Sequence, residues 1–297
     1  MKKLIAVVVH CFISCAKAYL IHVAYASSSN KYHIAGLTAS VKSIVVNSKN
    51  TSRLVFHIFE VEKDVLHLDS LKLFVSQRNS TIIRHIFSNE EVLDYINIHL
   101  QSHKSVRRLL EPANYVRYII AQKLAGIDKC LYLDTDTVIV GDINPFMDAR
   151  TTEKVISAFP REKQTLPLST YTTLRDLGIN VADPQPSFNA GILVLNLRQW
   201  RVSNMSRIMR NVSLINKKYN LWGEFGSQPA LLVTLGGNRF EKLNPELVLN
   251  NFGSIGRDRL QSAKDSVLFL HWSGPRKPWL KERSNNAEMW HEYFQSK

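Results

Sequence analysis

The stretch Cys130-Leu131-Tyr132-Leu133-Asp134-Thr135-Asp136-Thr137-Val138-Ile139-Val140-Gly141-Asp142 decides how the rest of the chain is read. Apolar residues fill it up to Leu133, the pattern of a strand buried on both faces. It then breaks into Asp-x-Asp and resumes as Val138-Ile139-Val140. Two carboxylates at the carboxyl end of a buried strand repel each other and resist burial, so something positive belongs between them. A divalent cation is the usual answer, because carboxylate oxygens are hard ligands. The plain alternative is a pair of turn aspartates satisfied by backbone N–H groups.

Toward the N-terminus, the apolar run Leu20–Ala26 predicts another buried strand, and Ser27-Ser28-Ser29-Asn30 a turn. Leu37, Val41, Ile44 and Val45 then fall at helical spacing in Gly36–Ser48, and Arg53–Phe59 reads as a second strand. This β-α-β start predicts a parallel pair with a right-handed crossover. Ligands of such sheets bind beyond the carboxyl ends of the strands. Ala26, Ser27, Ser28 and Asn30 are therefore expected at a mononucleotide.

Toward the C-terminus two further stretches stand out: Ser187-Phe188-Asn189-Ala190-Gly191-Ile192-Leu193-Val194-Leu195-Asn196-Leu197-Arg198-Gln199-Trp200, and Phe269-Leu270-His271-Trp272-Ser273-Gly274-Pro275-Arg276-Lys277-Pro278-Trp279. With the Asp-x-Asp strand, in this order, they resemble glycosyltransferase family 8, from about Ile21 to Trp279. The chain resembles the plant galacturonosyltransferase-like and the animal glycosyltransferase 8 domain-containing proteins of that family. The resemblance implies an α/β fold: a single GT-A type domain, with a Rossmann-like nucleotide-binding half and a mixed central sheet flanked by helices.

It also implies a retaining, metal-dependent transfer of a hexosyl unit (galactosyl, glucosyl, xylosyl or galacturonosyl) from a UDP-sugar to a glycan or glycoconjugate. Asp134, Asp136 and His271 would hold Mn²⁺ or Mg²⁺. Asp134, Thr135, Gly274 and Lys277 would lie against the nucleotide diphosphate. Arg117, in a Tyr-x-Arg setting, would sit near the donor sugar and phosphates; as a residue off the apolar stripe of Pro112–Ala125 it equally reads as a solvated helix charge. Asn189 would orient the sugar and Gln228 line its face. The family often has Asp-Gln-Asp where this chain has Ser227-Gln228-Pro229, so a double-displacement nucleophile is not evident and front-face transfer is expected. The altered Ser27–Ser29 turn and Ser227 leave a second reading open, a catalytically weak member that binds a glycan or nucleotide, or acts as a chaperone.

Residues 1–18 read separately. Lys2-Lys3, the apolar Leu4–Cys15 and the small-residue Ala16-Lys17-Ala18 predict a signal peptide, or a short signal anchor, ahead of a catalytic domain at 19–297. Four Asn-x-Ser/Thr tripeptides, at Asn50, Asn79, Asn204 and Asn211, fit a secretory route with the Golgi lumen as destination. Cys130 alone remains past Cys15, so no intramolecular disulfide is available to 19–297, and its place in a buried strand makes it core packing. The net charge of +13 favours an anionic substrate such as a nucleotide sugar. The basic residues are dispersed and carry no nucleic-acid motif. Any membrane contact is expected only through the N-terminal segment.

The remaining elements are expected as follows: helix over Asp64–Val75, strand over Thr81–Phe87, an ambiguous Glu90–Leu110, helix over Pro112–Ala125 and strand over Lys154–Phe159. Next come a long irregular acceptor-side segment over Arg161–Pro186, a polar helix over Arg198–Tyr219, strand over Val267–Trp272 and helix over Asn285–Gln295.

Overall fold

Strand β1 (Ile21–Ser27) pairs in parallel with β2 (Leu54–Val61), and β2 with β3 (Thr81–Phe87); helix Lys31–Asn47 makes the first crossover. The computed structural model describes residues 19–62, 66–96, 109–149, 153–163, 166–223, 226–263, 266–280 and 283–296. The expected leader, residues 1–18, lies outside them.

β4 (Lys129–Leu133) joins the other edge of β1 in parallel. Two antiparallel pairings follow, β4 with β7 (Ser187–Asn196) and β7 with β6 (Ile156–Arg161); β8 (Glu241–Lys242) ends the sheet beside β6. The order is β3-β2-β1-β4-β7-β6-β8, a mixed seven-stranded sheet. A second sheet runs β5 (Thr137–Ile139), β10 (Phe269–His271), β9 (Val248–Asn250). The expected α/β arrangement, with its β-α-β start and mixed sheet, is the one observed. β4 and β5 are the two halves of the opening stretch, so the Asp-x-Asp turn is where the chain leaves one sheet for the other.

The alternation of each strand divides the core. Ala24, Phe59, Tyr132 and Leu193 face one layer, and Val23, Phe56, Leu131 and Val194 the opposite one. Each of the larger aliphatic and phenylalanine side chains among them contributes about 1.5–3 kcal/mol by leaving water. Cys130 is fully buried, and burial pushes its thiol up. Leu270, Trp272 and Trp290 pack a third cluster under the small sheet. Across β1, β2 and β3 runs a histidine ladder. His22 Nδ1 meets His57 Nε2 at 2.9 Å, and His57 Nδ1 meets His85 Nε2 at 2.9 Å.

Several segments differ from their sequence reading. Pro112–Ala125 is not one α-helix but a 3₁₀ run, Pro112–Tyr118, and one α turn, Ile120–Lys123. Residues 115–121 are buried without a break, so no solvent face exists to be matched by a 3.6-residue stripe. Arg161–Pro186 is not wholly irregular: Leu168–Asp176 is helical, with Thr170, Tyr171 and Leu174 inward. Thr170 obscured that stripe, and its hydroxyl donates to Leu221 O at 2.8 Å. The Arg198–Tyr219 helix is two, Leu197–Val202 and Met205–Tyr219, separated at Asn204, whose φ of 54° lies in the left-handed region. The helix expected from Asp64 starts at Asp69. Of Glu90–Leu110, Glu90–Leu93 is helical and 97–108 lies outside the described residues.

Candidate functional site

Asp134 follows the last residue of β4, and its N–H donates to Gly191 O on β7 at 2.8 Å. The turn to β5 is pinned from within: Thr137 Oγ1 donates to Asp134 O at 2.8 Å and shares a 2.9 Å hydrogen bond with Ser40 of helix Lys31–Asn47. Gly36, one turn earlier on that helix, packs against Thr135; a Cβ there would stand 2.6 Å from Thr135 O. Asp136 O accepts from Trp272 N at 3.0 Å, which brings the end of β10 alongside. His271 therefore arrives beside the two aspartates by strand pairing.

Among the described residues, the partners of both carboxylates are side chains. Asp134 Oδ1 accepts from Arg117 Nη2 at 3.0 Å and from the Tyr132 hydroxyl at 3.1 Å. Asp136 Oδ2 pairs with Lys277 Nζ, and its Oδ1 faces His271 Nε2 at 3.3 Å. Burial alone would push the Asp136 carboxyl up; the charges of Lys277 and His271 outweigh it and hold the group well below the usual carboxylate range. The backbone-satisfied turn is thus not the arrangement found.

Arg117 is 5% exposed, not a solvated helix charge. Burial opposes its charge, but Tyr132 and Asp134 raise it, and Nη1 donates to Ala190 O at 2.7 Å. Its Nε is buried without a hydrogen-bond partner.

The chemistry of the donor set can be tested against a divalent cation. One ligand atom each from Asp134, Asp136 and His271 lie within 4.8 Å of one another. His271 Nδ1 stands 3.0 Å from Asn250 Oδ1, an oxygen that can only accept, so Nδ1 carries a proton and Nε2 is the ring atom left to act as a ligand. Nε2 faces Asp136 Oδ1 at 3.3 Å, a gap that either a proton or a cation bridges. Two hard carboxylates and one imidazole suit Mn²⁺ or Mg²⁺. Gly191 passes directly behind; a Cβ there would collide with the His271 ring and stand 2.7 Å from Asp134 Oδ2. The residues present fit the ion.

Ala26, Arg117, Asp134, Thr135, Gly274 and Lys277 line one cleft with Asp136. Gly274 has φ +96°, a conformation that favours glycine. Ser28 and Asn30 line an adjoining hollow that shares Glu111 and Ala113 with the cleft. Asn30 also caps helix Lys31–Asn47, accepting from Tyr32 N at 2.9 Å. Ser27 is buried and turns inward, its hydroxyl donating to Ser28 O at 3.2 Å. Asn189 and Gln228 line the far side of Arg117 and Asp134, with Asn114 and Ser227. Their amide oxygens are engaged: Asn189 Oδ1 accepts from Gly191 N at 2.8 Å, and Gln228 Oε1 from Ala190 N at 3.0 Å.

Sequence reasoning missed His33, Glu111 and Trp279 in the cleft wall, and Asn250 behind His271. His33 had a signal, since it lies in the first turn of the helix after β1. Glu111 is brought to 3.6 Å from His33 by a segment without periodicity. Nothing in Val248-Leu249-Asn250 marks the asparagine; only its register opposite His271 does.

The family model described as "Glycosyl transferase family 8" matches residues 10–283. An Arabidopsis thaliana protein named "Probable galacturonosyltransferase-like 9" is 26% identical, over 91% of this chain and 70% of its own length. "Glycosyltransferase 8 domain-containing protein 2" of Bos taurus is 28% identical, over 63% of this chain and 59% of its own length. Among solved structures, the galactosyltransferase LgtC in complex with donor and acceptor sugar analogues superposes with a TM-score of 0.67 and 19% identity, covering 92% of this chain and 95% of that one. The fold is the GT-A fold of glycosyltransferases.

Proposed function

This chain belongs to glycosyltransferase family 8, and from that premise we propose that residues 19–297 form a retaining, metal-dependent hexosyltransferase using a UDP-sugar donor and a glycan or glycoconjugate acceptor. The observation that carries the reading is the convergence of Asp134, Asp136 and His271 within 4.8 Å at the head of the cleft. These three would hold Mn²⁺ or Mg²⁺. When bound, the ion supplies positive charge to a leaving diphosphate as a Lewis acid.

The rest falls to the chain's own groups. Lys277 shares the Asp136 carboxylate and so stands beside the place a diphosphate would occupy. Arg117 fixes Asp134 from below and joins the nucleotide side of the cleft to the Asn189–Gln228 side. With their oxygens taken by the backbone, Asn189 and Gln228 have N–H₂ groups to offer sugar hydroxyls. Among the described residues of that hollow, Asp134 is the sole carboxylate. A separate nucleophile is therefore not invoked. The bond from the anomeric carbon to the diphosphate breaks on the same face on which the bond to the acceptor oxygen forms. The acceptor's proton passes to the leaving phosphate oxygen.

Sugar identity is left to a panel of UDP-galactose, UDP-glucose, UDP-xylose and UDP-galacturonic acid; the relatives' names favour including the last. With Mn²⁺, at least one should release UDP by slow hydrolysis, and chelation should stop it. Binding without turnover for every donor would favour the catalytically weak reading, and no binding at all would defeat both. We place the protein in the secretory lumen, the Golgi first. Asn50, Asn79, Asn204 and Asn211 are all exposed, as N-glycan acceptors must be. Among the described residues no helix is long and apolar enough to cross a membrane.

A further inference from the structure

We propose that Asn250 is a positioning residue for the metal site, acting as a hydrogen-bond acceptor that fixes the tautomer and ring orientation of His271. The inference rests on the metal-dependent reading above and adds a residue that no motif marks. β9 and β10 run parallel with His271 opposite Asn250. Asn250 Oδ1 stands 3.0 Å from His271 Nδ1. The imidazole is 2% exposed, so water cannot take over this bond freely. With the proton held at Nδ1, Nε2 is left as the ligand atom, aimed at Asp136 Oδ1. Ligating histidines generally need such a partner on the other ring nitrogen.

A second observation places the same strand end in control of the cleft wall. Asn251, in the left-handed region at φ 55°, donates its N–H to Ser273 Oγ at 2.9 Å and accepts from that hydroxyl through Oδ1 at 3.1 Å. Ser273 opens the loop that carries Gly274 and Lys277. Two consecutive asparagines thus hold, one the ligand imidazole, the other the loop leading to the cleft lysine.

The acceptor role separates two substitutions of similar size. Asn250→Asp keeps an oxygen acceptor and cannot donate. Asn250→Leu removes the acceptor. We expect Asn250→Leu to weaken Mn²⁺ binding by about 10- to 100-fold, and Asn250→Asp to stay within a few-fold of wild type. Free Mn²⁺ would be followed by electron paramagnetic resonance, with thermal unfolding in chelator as the check on folding. Equal losses in both variants would mean that Asn250 donates to His271 or only packs, and would overturn the proposal. So would an Asn250→Leu protein that binds Mn²⁺ like wild type. A wild-type protein that binds no Mn²⁺ would instead sink the metal-dependent reading on which this one stands. If Asn250→Leu fails to fold, Asn250→Asp alone still decides between accepting and donating.

Discussion

Two groups of histidines sit in this molecule, a ladder buried at its middle ring and His271, and their nitrogens are satisfied in opposite ways. In the ladder across β1, β2 and β3, imidazole meets imidazole, and His57 spends both nitrogens on His22 and His85. Burial holds all three below the usual histidine range; at His57, which lies at about 3, the two neighbouring rings add to it, and at His85 the charge of Lys123 does. Such a chain is closed: neutral rings exchange hydrogen bonds and ask for nothing more. His271 has one nitrogen met by a neutral amide and the other set against a carboxylate. That arrangement demands positive charge. The same residue type is structural where its partners are its own kind and chemical where they are acids.

The largest expected effect breaks the second group. Asp134→Asn with Asp136→Asn should abolish Mn²⁺-dependent UDP binding in calorimetry while the unfolding transition persists. Unchanged affinity would show that the carboxylates serve the turn alone. Next, Lys277→Ala should cost about 1.5–3 kcal/mol toward UDP, as expected for a charge-assisted contact. That is roughly 10- to 150-fold, and uridine, which has no phosphate, should be little affected. Equal losses for the two ligands would remove Lys277 from the diphosphate.

Gly191→Ala tests the crowding behind the cluster. It should cost about 1–3 kcal/mol of stability by overpacking and lower Mn²⁺ affinity with it. A stable variant with normal affinity would mean that β7 can move away from His271.

The ladder gives the smallest effect and the sharpest contrast. Its folded-state values lie below the unfolded one of about 6.5, so its stabilisation is present above that pH and is lost as pH falls toward the folded values. The slope should reach about 1.4 kcal/mol per pH unit for His57, the buried middle ring, and less for the partly exposed His22 and His85, which solvent screens. His57→Leu should flatten that acid limb in unfolding experiments between pH 6.5 and 4, with UDP affinity at neutral pH unchanged.

What was legible in the sequence follows from this contrast. The strands around the Asp-x-Asp turn and the β-α-β start were readable because their side chains alternate or run apolar over several residues. Asp134 and Asp136 stood out because charge at a buried strand end needs an explanation, and His271 only through the resemblance of the stretch around it. Residues whose role is set by a distant partner left no local trace. Arg117 had its Tyr-x-Arg setting but read equally as a solvated helix cation until β7 placed Ala190 O beside it, and the ladder is scattered over three strands as single histidines. The 3₁₀ run at Pro112–Tyr118 was missed because periodicity assumes a wet side.

The turn between the two sheets also has a meaning in time. Asp136 leaves the ribosome long before the segment that answers it, since Lys277 lies 141 positions further along the chain. Until β10 arrives, the β4 end carries its acids without their imidazole and ammonium. Loop closure over that length is among the later events a folding chain completes. Ion uptake should therefore mark the end of folding, and a nascent chain stopped before Phe269 should have its large-sheet strands and no affinity for Mn²⁺.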